Sequence, residues 1–406
     1  MIKITPFRAV RPTSDKVSLV TTRSYDEYSA AELASWLDFN PFSFLHIINP
    51  AFVNQEKISP DKRFKIVGTK YADFKDKGIF IKDKEEAFFL YEIQTAKHSF
   101  TGIVVGASLK NYQDNLIKKH ENTLDYRVQN LKNYFQITQF NTEPVLVMYK
   151  ENPSLQEWID HTKKCLLPLY DFSTTNKERH IVWKIDTKEG IDFLQKTFKE
   201  TDTLYIADGH HRLATSQMLL EEEGSKASEA MHYCMSYLIS ENNLKINEYN
   251  RLIHDLNGFS SVEFVEMLQQ HFTVERVHDF WKPTEMHSFG MYLNGVFYHL
   301  KLKDIPDENA PILSQLDAQL LYDLVLHPIL GIEDLRTDSR ISYIPGNQGL
   351  VELKKSIDDE DYKVGFILYP PTIEQIKQLA DAQETMPPKS TYIEPKFRNG
   401  LLIYEF

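Results

Sequence analysis

Residues 204–216, Leu-Tyr-Ile-Ala-Asp-Gly-His-His-Arg-Leu-Ala-Thr-Ser, prescribe their own local fold. Leu204 to Ala207 is an apolar, β-type run, and Asp208-Gly209 breaks it with a turn. From His210 onward Leu213, Ala214, Met218 and Leu219 recur at helical spacing. The pattern predicts a strand–turn–helix over 204–220. Asp208 is placed to cap the helix, because a short side-chain oxygen accepts from the free amides of the first turn. Gly209 lets the backbone turn sharply and lets a ligand come close. His210, His211 and Arg212 then stand on the first turn, beside free amides and the positive end of the helix dipole. A guanidinium fork and two imidazoles there suit an anion such as phosphate. The plainer reading is a capped junction facing water, but two histidines and an arginine in succession after Asp-Gly weigh against it. A metal held by the His pair is disfavoured, since neighbouring helical side chains point about 100° apart. No His-Glu-x-x-His pattern is present either.

Elsewhere, helices alternate with short apolar strands, which implies a mixed α/β fold (α+β in character) with several mixed sheets. Residues 84–94 and 98–106 read as an antiparallel hairpin, and 144–149, 181–185 and 232–240 as buried strands. Asn294-Gly295 is the strongest hairpin signal in the chain. Helices are expected over 260–272, 317–330 and 372–380, a strand over 364–369, and a mobile loop over 221–229. Asn250-Arg251 falls at the start of a strand. A chain of 406 residues exceeds one ordinary core. The expected division is an α/β region over 1–240 carrying the motif and an α+β region over 241–406. The segment 386–396 of the latter returns to the site. One interlocked domain is the alternative.

Three further stretches carry chemistry-bearing residues. Asn40-Pro begins a turn followed by Phe44-Leu-His46. His120-Glu121 is a candidate acid–base pair, with Arg127 a few residues on, although both could be ordinary solvated residues. Met386-Pro-Pro-Lys-Ser-Thr391 brings Lys389, Ser390 and Thr391 together, with Lys396 beyond Pro395. An ammonium and two hydroxyls side by side can hold phosphate oxygens. No Walker A loop, GxGxxG or GxSxG is present.

In these four places and their order the chain resembles the prokaryotic family known as domain of unknown function 1015. The likeness spans nearly the whole chain. Asp208-Gly-His-His-Arg212 before Leu-Ala also looks like the nucleotide-phosphate motif of the ParB–sulfiredoxin superfamily, which includes free-serine kinases and partition CTPases. That second likeness covers about a dozen residues. It implies that the helix after the motif cradles phosphates, while the resemblance to the first family points toward serine metabolism.

The leading expectation is a nucleotide-dependent phosphotransferase acting on a small hydroxylated metabolite, free serine first among them. Gly209, His210, His211, Arg212 and Arg127 would hold phosphates, and Lys389, Ser390, Thr391 and Lys396 would close over them. Asp208 or Glu121 would orient or deprotonate the acceptor, with His120, His210 and His211 as further acid–base candidates. ATP or ADP with Mg²⁺ is the expected cofactor. A phosphohydrolase on a phosphoester such as phosphoserine is the alternative, and a nucleotide-binding regulatory protein is a third. The net charge of −12 repels nucleic acid and anionic membrane, so neither is an expected partner. The run Gly102 to Leu109 is too short to span a bilayer. The N-terminus shows no signal-peptide core, and the only cysteines, Cys165 and Cys234, are expected to be buried thiols, so a cytoplasmic location is expected.

Overall fold

The structure, a computed structural model, describes residues 1–48 and 59–406. These divide into two units. The first takes Met1–Lys119, Thr123–Leu244 and Pro395–Phe406, and the second takes His120–Asn122 and Lys245–Glu394. The fold is mixed α/β, as the alternation of periods predicts.

The first unit is built on a sheet of nine strands among the described residues. Across it run Ile117–Lys118, Leu204–Asp208, Val145–Tyr149, Tyr233–Ser240, Ser99–Ser108, Phe88–Gln94, Arg179–Ile185 and Tyr170–Ser173. Ile4–Thr5 pairs with Ser99–Ser108. Most neighbours are antiparallel, but Leu204–Asp208 runs parallel to Ile117–Lys118, and Tyr233–Ser240 parallel to Val145–Tyr149. The expected hairpin is present, with Phe89 opposite Val104. Strands such as Val145–Tyr149 are buried along their whole length, which is why they read as continuous apolar runs. Leu155, Ile159, Leu194 and Phe198, from helices Pro153–Cys165 and Lys188–Lys199, pack into the same core as Val147 and Ile206. The sequence announces both helix starts. Asn152 accepts from the Leu155 N–H at 3.1 Å, and Thr187 accepts from the Gly190 N–H at 3.2 Å.

Residues 395–406 belong to this unit through backbone pairing. Ile403 bridges Val10, Asn399 bridges Thr22, and Tyr404–Glu405 pairs with Phe140–Asn141.

The second unit has seven strands among the described residues. Phe272–Val277, Val296–Leu302, Ser288–Leu293, Val364–Ile367, Lys245–Ile253 and Ile341–Pro345 follow one another across the sheet, and Thr391–Glu394 also pairs with Lys245–Ile253. Asn294 and Gly295 turn the hairpin with φ of 50° and 76°, the positive pair that a type I′ turn requires. Phe264, Phe272, Phe289, Leu321 and Phe366 form its core.

Several expectations need correction. Asn250 and Arg251 lie in the interior of Lys245–Ile253, not at its start, and both are wholly buried. The helix expected over 317–330 is α-helical only for Asp317–Leu321 and then widens to a π turn at Tyr322–Leu326. The stretch 221–229 holds short 3-10 turns, Gly224–Lys226 and the start of Glu229–His232. Cys165 is exposed beside His161, because it ends its helix on the solvent side, whereas Cys234 is buried as expected. The helix Leu350–Asp358 and the strand Tyr170–Ser173 went unpredicted. Among the described residues no helix is long and apolar enough to cross a membrane.

Candidate functional site

The strand–turn–helix stands where the sequence puts it. The strand Leu204–Asp208 is followed by Gly209 and then by the helix His210–Glu223. The strand carries a register shift between Ile206 and Asp208 where it pairs with Val145–Tyr149. Such an irregularity re-aims the side chain that follows it. Gly209 has φ +93°. A Cβ there would sit 3.3 Å from the Val145 Cα and 3.4 Å from Arg212 Nη1. Both backbone conformation and space therefore require glycine.

Asp208 does not cap the first turn as expected. Gly209 takes the cap position and has no side chain to do so. Asp208 Oδ1 instead accepts from the Gly209 N–H at 2.8 Å, and Lys396 Nζ donates to Asp208 Oδ2 at 2.6 Å. The side chain curls back because the left-handed turn presents the nearest amide to it. Burial pushes its carboxyl upward, but the Lys396 ammonium and the Gly209 amide outweigh that and hold it below the usual carboxylate range. The side chain remains 48% exposed, so an incoming group can still reach it.

Arg212 lies one helical turn on. Its Nη2 pairs with Glu143 Oε2, and its Nη1 donates to the Pro144 carbonyl at 3.5 Å. Glu143 is held in turn by Asn399 Nδ2, which donates to its Oε1 at 2.6 Å. The Asn399 N–H donates to the Thr22 carbonyl at 2.8 Å. His210 is buried, and burial, His211 and Lys119 lower its imidazole to about 4 against the pull of Asp208. At neutral pH it is an uncharged hydrogen-bonding group. His211 is half-buried beside it.

Arg127 is on the exposed first turn of Asp125–Thr138, and its Nε donates to Tyr126 Oη at 3.1 Å. That helix lies along the motif helix, where Thr215 Oγ1 donates to the Val128 carbonyl at 3.4 Å and Lys132 pairs with Glu222 at 2.5 Å.

The second unit brings two more of the predicted stretches together. The Met386 N–H donates to the His120 carbonyl at 2.9 Å, and Asn122 Nδ2 donates to Thr385 Oγ1 at 3.1 Å. His120 is buried and Glu121 half-buried. Lys389 has φ +54° and sets its ammonium 5.1 Å from the Tyr249 ring centre. Ser390 is buried, its Oγ donating to the Pro387 carbonyl at 2.7 Å, and Thr391 pairs with Glu248 across the sheet. The stretch 386–396 thus divides after Glu394, with Lys396 in the first unit.

Sequence reasoning missed Glu143 and Asn399. Each is a lone polar residue with no motif around it, and only the folded chain sets Glu143 against Arg212 and Asn399 against Glu143. The predicted residues that come together in the first unit are Asp208, Gly209, His210, His211, Arg212 and Lys396.

Residues 4–319 match the sequence pattern of the family described as protein of unknown function (DUF1015). The chain belongs to that family. Solved structures similar to this member include a free serine kinase in complex with AMP, at 14% identity and a TM-score of 0.38, covering 74% of this chain and 91% of that one. Another is SbnI with C-terminal truncation from Staphylococcus aureus, at 14% identity and a TM-score of 0.39, covering 73% and 85%. A conserved hypothetical protein from Pyrococcus furiosus is similar at 13% identity and a TM-score of 0.35, covering 74% and 95%. No curated protein matches the chain.

The turn makes its own prediction. Gly209→Ala forces a left-handed conformation that costs a residue with a Cβ about 1–2 kcal/mol, and it crowds a backbone atom that cannot swing aside. A loss of about 1–3 kcal/mol in urea unfolding is expected. Unchanged stability would mean that the turn relaxes and is not held by its neighbours.

Proposed function

We propose that this protein is a nucleotide-dependent phosphotransferase acting on a small hydroxylated metabolite, with free serine the first acceptor to test. One observation carries the reading: two cation–carboxylate pairs meet at one strand–turn–helix junction. Arg212 pairs with Glu143 and Lys396 with Asp208, on either side of Gly209. Each of the two pairs is neutral in itself, and the uncharged His210 adds no charge to them.

A bare phosphoester gains little net field from such a set. A nucleotide carrying Mg²⁺ gains from both signs. Its phosphate oxygens suit the guanidinium and the ammonium. The ion suits carboxylates, since Mg²⁺ is ordinarily held by one or two of them together with substrate phosphates. The half-exposed Asp208 fits that role, and when bound the ion would neutralise phosphate charge. Gly209 lets the phosphates approach the backbone, and His210 and His211 offer hydrogen bonds from the first turn. Asp208, held ionised by Lys396, is the group to orient or deprotonate the acceptor hydroxyl. This charge balance favours the transferase over a phosphohydrolase working on a free phosphoester.

The test is a thermal-shift screen with ATP, ADP, CTP, serine and phosphoserine, with and without Mg²⁺, followed by turnover assays. A ligand at about 100 times its Kd stabilises by roughly 2.7 kcal/mol. Product formation that needs nucleotide and acceptor together is the expected result. Turnover of phosphoserine alone would replace the reading with a hydrolase. Nucleotide binding without turnover on any hydroxylated acceptor would replace it with a regulatory protein.

A further inference from the structure

A cavity of about 180 Å³ within the first unit plays no part in the reading above. Its floor is aromatic. The Phe7 and Tyr404 rings meet edge to face with centres 5.1 Å apart, and Tyr404 Oη donates to the Ala230 carbonyl at 2.8 Å. Tyr233 lies buried beside them, with the Lys3 ammonium 5.3 Å from its ring centre. The charged side chains around these rings are Arg8, Lys82, Glu86, Glu229 and Glu405.

Lys82 and Glu405 are committed to each other. Glu405 accepts from Tyr71 Oη at 2.8 Å, Lys75 Nζ at 2.7 Å and Lys82 Nζ at 2.8 Å. Arg8, Glu86 and Glu229 make no side-chain hydrogen bond or ion pair among the described residues, and all three are exposed. The backbone sets their places. Phe7 and Ala87 exchange N–H···O bonds of 3.1 Å in both directions, which puts Arg8 and Glu86 next to each other as antiparallel neighbours. Glu229 comes in from the 3-10 turn Glu229–His232. Burial holds the Tyr404 hydroxyl above its ordinary range, and the charges of Glu86 and Glu229 add to that, so both carboxylates converge on the floor.

The uncommitted groups are therefore of both signs. A simple anion would meet Arg8 but also two carboxylates. A simple cation would meet the carboxylates but also a guanidinium. A molecule that carries both charges close together satisfies all three. The guanidinium fork takes a carboxylate through two parallel bonds, and an ammonium gains from carboxylates and from nearby aromatic faces. The volume suits several non-hydrogen atoms, where one water needs only about 10–15 Å³.

We propose that this cavity binds a small zwitterion of the amino-acid kind, its carboxylate on Arg8 and its ammonium on Glu86 and Glu229. The proposal does not rest on the phosphotransferase reading, and none of these residues belongs to the junction at Gly209. The competing partner of Arg8 is Glu86 itself, through a surface ion pair that would leave the cavity to water.

Isothermal titration of the full chain with L-alanine tests the proposal, alongside propionate and ethylamine, which each keep one of its two charges. Alanine has no hydroxyl, so it cannot serve as a phosphoryl acceptor. Saturable binding of alanine, about tenfold or more tighter than either single-charge probe, is expected. Arg8→Gln and Glu229→Gln remove one charge of each sign at exposed positions, and each lowers alanine affinity about tenfold or more. The proposal is overturned if alanine does not bind, if propionate or ethylamine binds as tightly, or if either variant keeps wild-type affinity, as binding elsewhere on the chain would give. Nucleotide titration of Arg8→Gln is expected to match wild type, so failure here and failure of the transferase reading are separate results.

Discussion

Arg212→Ala lowers the affinity for Mg²⁺-nucleotide by about 10- to 100-fold, as expected when a charged hydrogen-bonding group worth roughly 1.5–3 kcal/mol is removed. The loss has two parts. The guanidinium no longer meets the phosphates, and Glu143, only 16% exposed, keeps an uncompensated negative charge beside them. Asn399 still bonds Glu143, so the fold is expected to survive. The companion variant Glu143→Gln should move the other way for metal-free ligand. With the Glu143 charge removed, the surroundings of Arg212 are more positive by one charge, and nucleotide without Mg²⁺ binds more tightly than in wild type. Titration calorimetry of wild type, both single variants and the double variant, with and without Mg²⁺, measures each part. Equal dissociation constants for wild type and Arg212→Ala would remove Arg212 from the site.

A second large effect concerns stability and pH. The folded-state value of Asp317, about 7, lies well above the ordinary 3.8 because burial disfavours the ionised form. At about 1.4 kcal/mol for each pH unit the difference amounts to about 4 kcal/mol. The sign follows from proton counting. Below about pH 4 both folded and unfolded chains hold the proton, and the full stability is present. Between about 4 and 7 the unfolded chain has lost its proton while the folded chain keeps it, so stability falls as pH rises. Above about 7 both are ionised and the loss is complete. Asp317→Asn has no such proton, so it is expected to be more stable than wild type at pH 8 and to lose most of that advantage by pH 5. The difference between the two conditions is about 2–3 kcal/mol. Urea unfolding of both proteins at the two pH values gives the result, and a pH-independent gap would mean that Asp317 does not titrate in this range.

What could be read from the amino acids alone followed the range of the forces involved. The strand–turn–helix at 204–220 and the turn at Asn294-Gly295 are set by neighbours in sequence, through period and through residues that accept positive φ. Both appear as expected. Asp208 was legible as a polar residue at the turn but not in its role. Whether such a side chain reaches forward to the first-turn amides or back to Gly209 depends on the backbone angle at the glycine and on a lysine 188 residues away. The pairing of Arg212 with Glu143 has no local signature for the same reason. Helix 317–330 misled because its apolar spacing is sound and carries no sign of the widened turn at Tyr322–Leu326. Cys165 misled because burial of a thiol is only a tendency, and the end of a helix overrides it.

The threading of residues 395–406 into the first unit sets a timetable for synthesis. A ribosome adding about 5–20 residues per second delivers Lys396 and Asn399 on the order of ten seconds after Leu244. Until then the nascent first unit lacks the chain that bridges Val10 and Thr22. Asp208 waits without its lysine, and Glu143 without the asparagine that aims it at Arg212. The charge balance at Gly209 is thus among the last things the growing chain acquires. A polypeptide released before residue 396 would display the Asp-Gly-His-His-Arg sequence without the balanced site.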